Sequence, residues 1–163
     1  MKWVQIPGGG AVGAVGPGDG SLGANTPVVY LAIALRNAGN GIAVLQGWRF
    51  FPGARRDRDH APLEEFQPQT RDLYIPVGDV GFWQGAFRDP AAAGYQDARS
   101  TIEAHQPWTV ELLYADHEGG QQAISRFLVL PVDHQVEGAD EGAGWLVSAS
   151  RHWSLDRTHE SER

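Results

Sequence analysis

Alternation of apolar and polar positions with a period of two runs through most of the chain. Residues 28–36 (VVYLAIALR) place Val29, Leu31, Ile33 and Leu35 on one face, with Ala32 and Ala34 on the other. This predicts a central strand covered on both sides. The segment Asn37-Ala38-Gly39-Asn40-Gly41 follows, a turn built from residues that tolerate positive φ. Residues 43–51 return as a strand, with Val44, Trp48 and Phe50 on one face. The same period predicts strands over 2–6, 71–77, 80–88, 108–115, 121–132 and 144–154. Pro76 marks an edge position or a strand end, because it cannot donate to a ladder. Trp108, Val110, Leu112 and Tyr114 share a face, as do Trp145, Val147 and Ala149.

One stretch departs from this period. Tyr95, Ala98 and Ile102 recur at helical spacing, which predicts one short helix over 90–104. Asp89 is expected as its N-cap and Pro90 at its first turn. His105 suits the helix dipole at the far end, and Pro107 stops continuation. Residues 8–26 read as a Gly-rich loop, and 52–70 as a solvated loop with a helical turn near 63–66. Residues 133–143 read as an acidic loop, and 158–163 as a disordered polar tail. About eight turn-separated strands at sandwich-like spacing and one helix predict an all-β fold, a single domain over 1–157 built of antiparallel sheets.

Composition narrows the function. A length of 163 residues fits one domain with a sizeable core. The formal charge of -7 and the lack of a basic block argue against nucleic acid as a partner. The absence of cysteine removes disulfides, thiolate metal sites and Cys nucleophiles together. The longest apolar run, Val28 to Leu35, is far too short to span a membrane. No apolar leader follows Lys2, so the expectation is a soluble, cytoplasmic chain.

The segment Leu35-Arg36-Asn37-Ala38-Gly39-Asn40-Gly41-Ile42-Ala43 resembles the N-x-G-x-x-x-A strand–turn–strand motif of bacterial immunoglobulin-like domains. Ile75-Pro76-Val77-Gly78-Asp79 resembles a turn of the same domains. More narrowly, LRNAGNGIAVLQGW, IPVGDVGFWQGAFRDP, LLYADHEGGQQAISRF and SRHWSLDR together are similar to an uncharacterised family of actinobacterial proteins, over most of the chain from about residue 27 to 157. The resemblance implies an antiparallel immunoglobulin-like β-sandwich and transfers no catalytic residue. Some relatives carry an upstream transmembrane segment, which implies a soluble module of a membrane-associated protein. The helix at 90–104 and the Trp content depart from a plain immunoglobulin-like domain.

Candidate chemistry is sparse. Gly8-Gly9-Gly10-Ala11-Val12-Gly13 matches G-x-G-x-x-G, but no helix can open after it, so no dinucleotide or other cofactor is expected. Asp116, His117 and Glu118 adjoin at a hairpin tip, where neighbouring side chains splay apart. A metal there would need a distant ligand such as His134 or His152, so no metal is expected. A triad can be assembled on paper from Ser125 or Ser150, His152 and Asp116, without a nucleophile elbow. Arg126 shares parity with Ile124, Leu128 and Leu130, pointing inward or bounding the core. A buried guanidinium needs a carboxylate, and Glu111 and Asp116 are the candidates. Most of the six Trp belong in a core, whereas Trp83 and Trp153 are the two expected to face outward.

These features point to a non-catalytic interaction or accessory domain with an unidentified protein partner. The candidate ligand-binding residues are Trp83, Asp116, His117, Arg126, His152 and Trp153. The alternatives are a carbohydrate or small-ligand binding module using exposed Trp, and a hydrolase or metal-dependent enzyme around Asp116, His117 and His152.

Overall fold

The computed structural model describes residues 3–4, 11–17, 27–37, 42–116, 121–131 and 145–155. These form strands β1 (Trp3–Val4), β2 (Ala11–Pro17), β3 (Pro27–Asn37), β4 (Ala43–Pro52), β5 (Gln67–Ile75), β6 (Val80–Phe87), β7 (Trp108–Asp116), β8 (Gln122–Pro131) and β9 (Trp145–Ser154). A 3-10 turn at Leu63–Glu65 precedes β5, and helix α1 (Tyr95–Glu103) lies between β6 and β7.

All pairings are antiparallel, and they make two sheets. In the first, β3 is flanked by β6 on one side and by β1 and β2 on the other. The second runs β5-β4-β7-β8-β9. The chain crosses between sheets after β3, returns after β5, and crosses again through α1. This is the strand order of an immunoglobulin sandwich, A-B-E against C′-C-F-G, with β9 added beyond G and no D strand among the described residues.

The interior joins both inner faces. Val29, Leu31, Ile33 and Leu35 of β3 meet Leu45, Trp48 and Phe50 of β4 and Val110, Leu112 and Tyr114 of β7. Trp48 bridges the sheets, edge-on to Trp83 at 5.5 Å and to Phe87 at 5.2 Å between ring centroids. Such T-shaped pairs add about 0.5–1.5 kcal/mol each beyond burial. Gly85 makes room for them, since a Cβ there would lie 2.7 Å from a Trp83 ring carbon. Asn37 ties the ends of the sheets together. It is fully buried, its Nδ2 donates to the Ile75 carbonyl at 2.9 Å, and its own carbonyl accepts from Gly78 N–H at 2.7 Å.

Several expectations need correction. The Gly-rich loop expected over 8–26 contains β2, which pairs with β3 from Pro17↔Pro27 to Ala11↔Ile33. Its small residues carry no alternating signal, because backbone hydrogen bonds define it. The β3 strand is central, with one face fully buried and the other only partly covered: Val28 is buried there, and Tyr30, Ala32 and Ala34 are partly buried. In β4 a register shift between Leu45 and Gly47 moves the core face to Ala43, Leu45, Trp48 and Phe50, so Val44 is not with Trp48. The β5 strand begins at Gln67, inside the expected loop, and ends just before Pro76.

The helix begins at Tyr95, not at residue 90. The Asp89 carboxylate accepts Ala91 N–H at 2.9 Å and its carbonyl accepts Ala92 N–H at 2.9 Å, closing a turn instead. Gly94 then takes φ 90°, a left-handed conformation that interrupts any helix from Pro90. At the other end His105 takes φ 52°. His105 N–H bonds the Ile102 carbonyl and Gln106 N–H the Thr101 carbonyl, the paired bonds of a Schellman cap. Buried Tyr95, Ala98 and Thr101 face inward, and the helix packs against β2, β3 and β4.

Candidate functional site

Two polar clusters occupy opposite faces of the second sheet. The outer one is built on Thr109 and Glu111 of β7 and Arg126 of β8, all completely buried. What buries them is residues 53–61, which leave β4 and cross the outer face as a strap. The strap enters at Gly53, where φ is 79° and the N–H bonds the Pro107 carbonyl at 2.9 Å. The Thr109 hydroxyl donates to the Gly53 carbonyl at 2.7 Å and accepts Arg55 N–H at 2.9 Å. At the far end, Ala61 N–H donates to Glu111 Oε1 at 2.7 Å.

Arg126 holds the middle. Its Nη1 donates to the carbonyls of Asp57 at 2.7 Å and Arg55 at 3.5 Å, and its Nη2 to the carbonyl of Asp59 at 2.7 Å. Nε and Nη2 both reach Glu111 Oε2 at 3.4 Å. All five guanidinium donors are therefore engaged. The Asp57 carboxylate adds a contact at 3.3 Å. Trp153 of β9 covers the guanidinium at 4.9 Å from its ring centroid, donates Nε1–H to the Arg58 carbonyl at 3.1 Å, and meets the His60 ring edge-on at 5.4 Å. On the rim, Arg55 makes a bidentate pair with Asp57 at 2.7 and 2.9 Å. That hydrogen bond holds the Asp57 carboxyl below the usual carboxylate range.

The inner cluster is a triangle. Tyr114 Oη lies 2.8 Å from Ser125 Oγ and 3.0 Å from His152 Nδ1, and Ser125 Oγ lies 3.1 Å from the same nitrogen. Partial burial pushes the imidazole pKa below its ordinary value. In the neutral ring tautomer whose Nδ1 carries no hydrogen, that nitrogen accepts a hydrogen bond from one hydroxyl, while the other hydroxyl bonds the first. A nucleophile–base–orienter chain needs its two partners on opposite nitrogens of the ring. Here both hydroxyls share Nδ1, and Ser125 is only 4% exposed. The chemistry this geometry supports is a hydrogen-bonded lock between β7, β8 and β9.

The six sequence candidates thus separate. Arg126 and Trp153 meet on the outer face, where Arg126 has the expected partner Glu111 but Asp57 in place of Asp116. Its parity with Ile124 and Leu128 holds, yet that face is the outer one, buried beneath other chain segments and not between the sheets. His152 lies on the inner face with Tyr114 and Ser125. Trp83 does not face outward; it is fully buried between the sheets. Asp116 is half-buried at the end of β7, where its N–H bonds the Gln121 carbonyl at 3.1 Å. His117 lies outside the described residues, as do Glu118 and His134. Among the described residues no group of three or more His, Asp or Glu could hold a metal ion. Sequence reasoning missed the strap, because carbonyls of alternate residues carry no side-chain signal. The one available clue was Glu111, an acid in an otherwise apolar strand.

Comparison with protein-family models, with curated proteins and with solved structures yielded no match to this chain.

Proposed function

We propose that the chain is a non-catalytic recognition or accessory domain whose sandwich presents the 53–61 strap to a protein partner. One observation carries this reading. A completely buried guanidinium commits its donors to the strap's carbonyls and to Glu111, so its charge fixes a surface loop and is not offered to a ligand. A loop already held in place loses little conformational freedom on binding. The shared nitrogen and the buried hydroxyl of the inner triangle support a structural role there. The setting proposed with this function is the soluble part of a membrane-associated bacterial protein, which rests on the sequence resemblance. No helix among the described residues is long and apolar enough to cross a membrane.

A photo-crosslinking amino acid placed at Arg58, and separately at exposed Gln96 on α1, tests the assignment in cells. Crosslinks to a partner from position 58 and not from 96 are expected. Equal labelling from both positions, or none from 58, would overturn the strap as the recognition surface.

A further inference from the structure

The strap carries more cationic surface than its own structure uses. Arg126 draws in the carbonyls of residues 55, 57 and 59, which leaves the side chains of Arg56 and Arg58 on the outside, both exposed. Arg151 is the register partner of Arg126 on β9. It is exposed and stands two residues from Trp153, whose indole bonds the Arg58 carbonyl. Arg56, Arg58 and Arg151 enter no ion pair among the described residues. Elsewhere, Arg49, Arg55 and Arg99 are paired with carboxylates, and Arg88 lies over the Tyr30 ring. Among the arginines whose side chains are described, only Arg36 is comparably unengaged. In a chain of formal charge -7, three of four unengaged guanidinium groups therefore gather around one strap. Asp57 and Asp59 are both exposed; the Asp57 carboxylate is occupied by Arg55 and Arg126, and Asp59 enters no ion pair among the described residues.

We propose that Arg56, Arg58 and Arg151, with the edge of Trp153 between them, form a docking site for an extended acidic polypeptide segment. The proposal rests on the strap being the recognition surface and adds the chemistry of the partner. Charge complementarity selects an anionic partner. The arrangement favours carboxylates spaced along a chain over a single phosphate. Arg56 and Arg58 lie on the strap and Arg151 on β9, so the three exposed charges are carried by two separate segments.

Fluorescence anisotropy of a labelled (Glu-Ser)5 peptide with the full chain at low ionic strength tests this, with (Lys-Ser)5 as the control peptide. The variants are R56E/R58E, R151E and R36E, the last making the same charge change as R151E elsewhere on the surface. Binding of the acidic peptide by wild type and R36E is expected. R151E should weaken it about threefold or more, and R56E/R58E about tenfold or more, in line with exposed ion pairs. The interaction should fade as salt shortens the Debye length. The proposal is overturned if the acidic peptide does not bind, if R36E weakens it as much as R56E/R58E, or if (Lys-Ser)5 binds as well. Competition by tripolyphosphate at lower concentration than by unlabelled peptide would also overturn it, in favour of a phosphate site. Crosslinking from position 58 without acidic-peptide binding would reject only the partner chemistry, whereas loss of both would reject the strap itself.

Discussion

Arg126 illustrates how a single side chain can set the geometry of a surface. Removing one member of a buried ion pair leaves its partner desolvated, at a cost of about 3–5 kcal/mol. Arg126→Leu strands Glu111 and three carbonyls at once. A loss of that size is expected in urea unfolding, with faster tryptic cleavage after Arg55, Arg56 and Arg58. An unchanged midpoint would contradict the pinning role. His152 acts through its proton. Burial lowers its folded pKa, so the unfolded chain binds the extra proton first as pH falls below the ordinary histidine value near 6.5. Stability contributed by the neutral ring is present above that value and is lost as pH falls toward the folded pKa. Unfolding of wild type and His152→Gln at pH 7.5, 6.0 and 5.0 should show a shallower acid loss in the variant; parallel curves would refute the linkage.

Among the elements, α1 depends on backbone conformations that side-chain periodicity does not reveal. Gly94 opens the helix at φ 90°, and a Cβ there would lie 3.2 Å from a Phe87 ring carbon. Gly94→Ala is expected to cost roughly 1–2 kcal/mol, since a left-handed residue with a side chain is strained before any clash is counted. His105 is the same problem tolerated. It occupies the left-handed cap position and stacks its ring on Trp145 at 4.6 Å between centroids. His105→Gly relieves the strain but loses the stack, so its midpoint should stay close to wild type. His105→Val keeps neither advantage and should lose about 1–2 kcal/mol. Urea midpoints of the three variants decide the matter, and a His105→Val as stable as His105→Gly would exclude a strained cap. The strap shows the converse case. It has no regular secondary structure, yet polar groups of Thr109, Glu111 and Arg126 receive it at its start, end and middle.

For the molecule as a whole, the sandwich is closed by its indoles. Trp83 and Trp108 are fully buried and Trp48 nearly so, all inside the shared interior. Trp83→Ala removes the edge-on partner of Trp48 and opens a cavity between the sheets. Losses of about 3–5 kcal/mol accompany such truncations, against a total of about 5–15 kcal/mol for a typical domain. The variant should therefore unfold at much lower urea, with both sheets lost in one transition. A separate early transition for one sheet would show that the core does not couple them. Iodide should quench Trp153 and Trp145 more readily than these three, because both are only half-buried.

Much of this architecture is legible along the chain. A period of two survives wherever one face of a strand meets a core, so β3, β7 and β9 are readable from Leu31, Val110 and Val147 and their neighbours, whereas β8 is buried on both faces and its parity misleads. The signal fails where the backbone alone decides. It misses β2, whose residues are small, and mistakes the face of Val44, because one inserted residue at Gln46 reverses parity beyond it. It misplaces the start of α1, where a turn at Asp89 competes with a cap. The pairing of Arg126 with Glu111 is visible as an unlike charge on adjacent strands, but which side of the sheet they occupy is not. That side was decided by the strap, a segment of Gly, Ala, His and charges whose carbonyls find a guanidinium about 70 residues away, as the separation of Asp57 and Arg126 shows. Local alternation records which residues avoid water; only the folded chain determines what else comes to cover them.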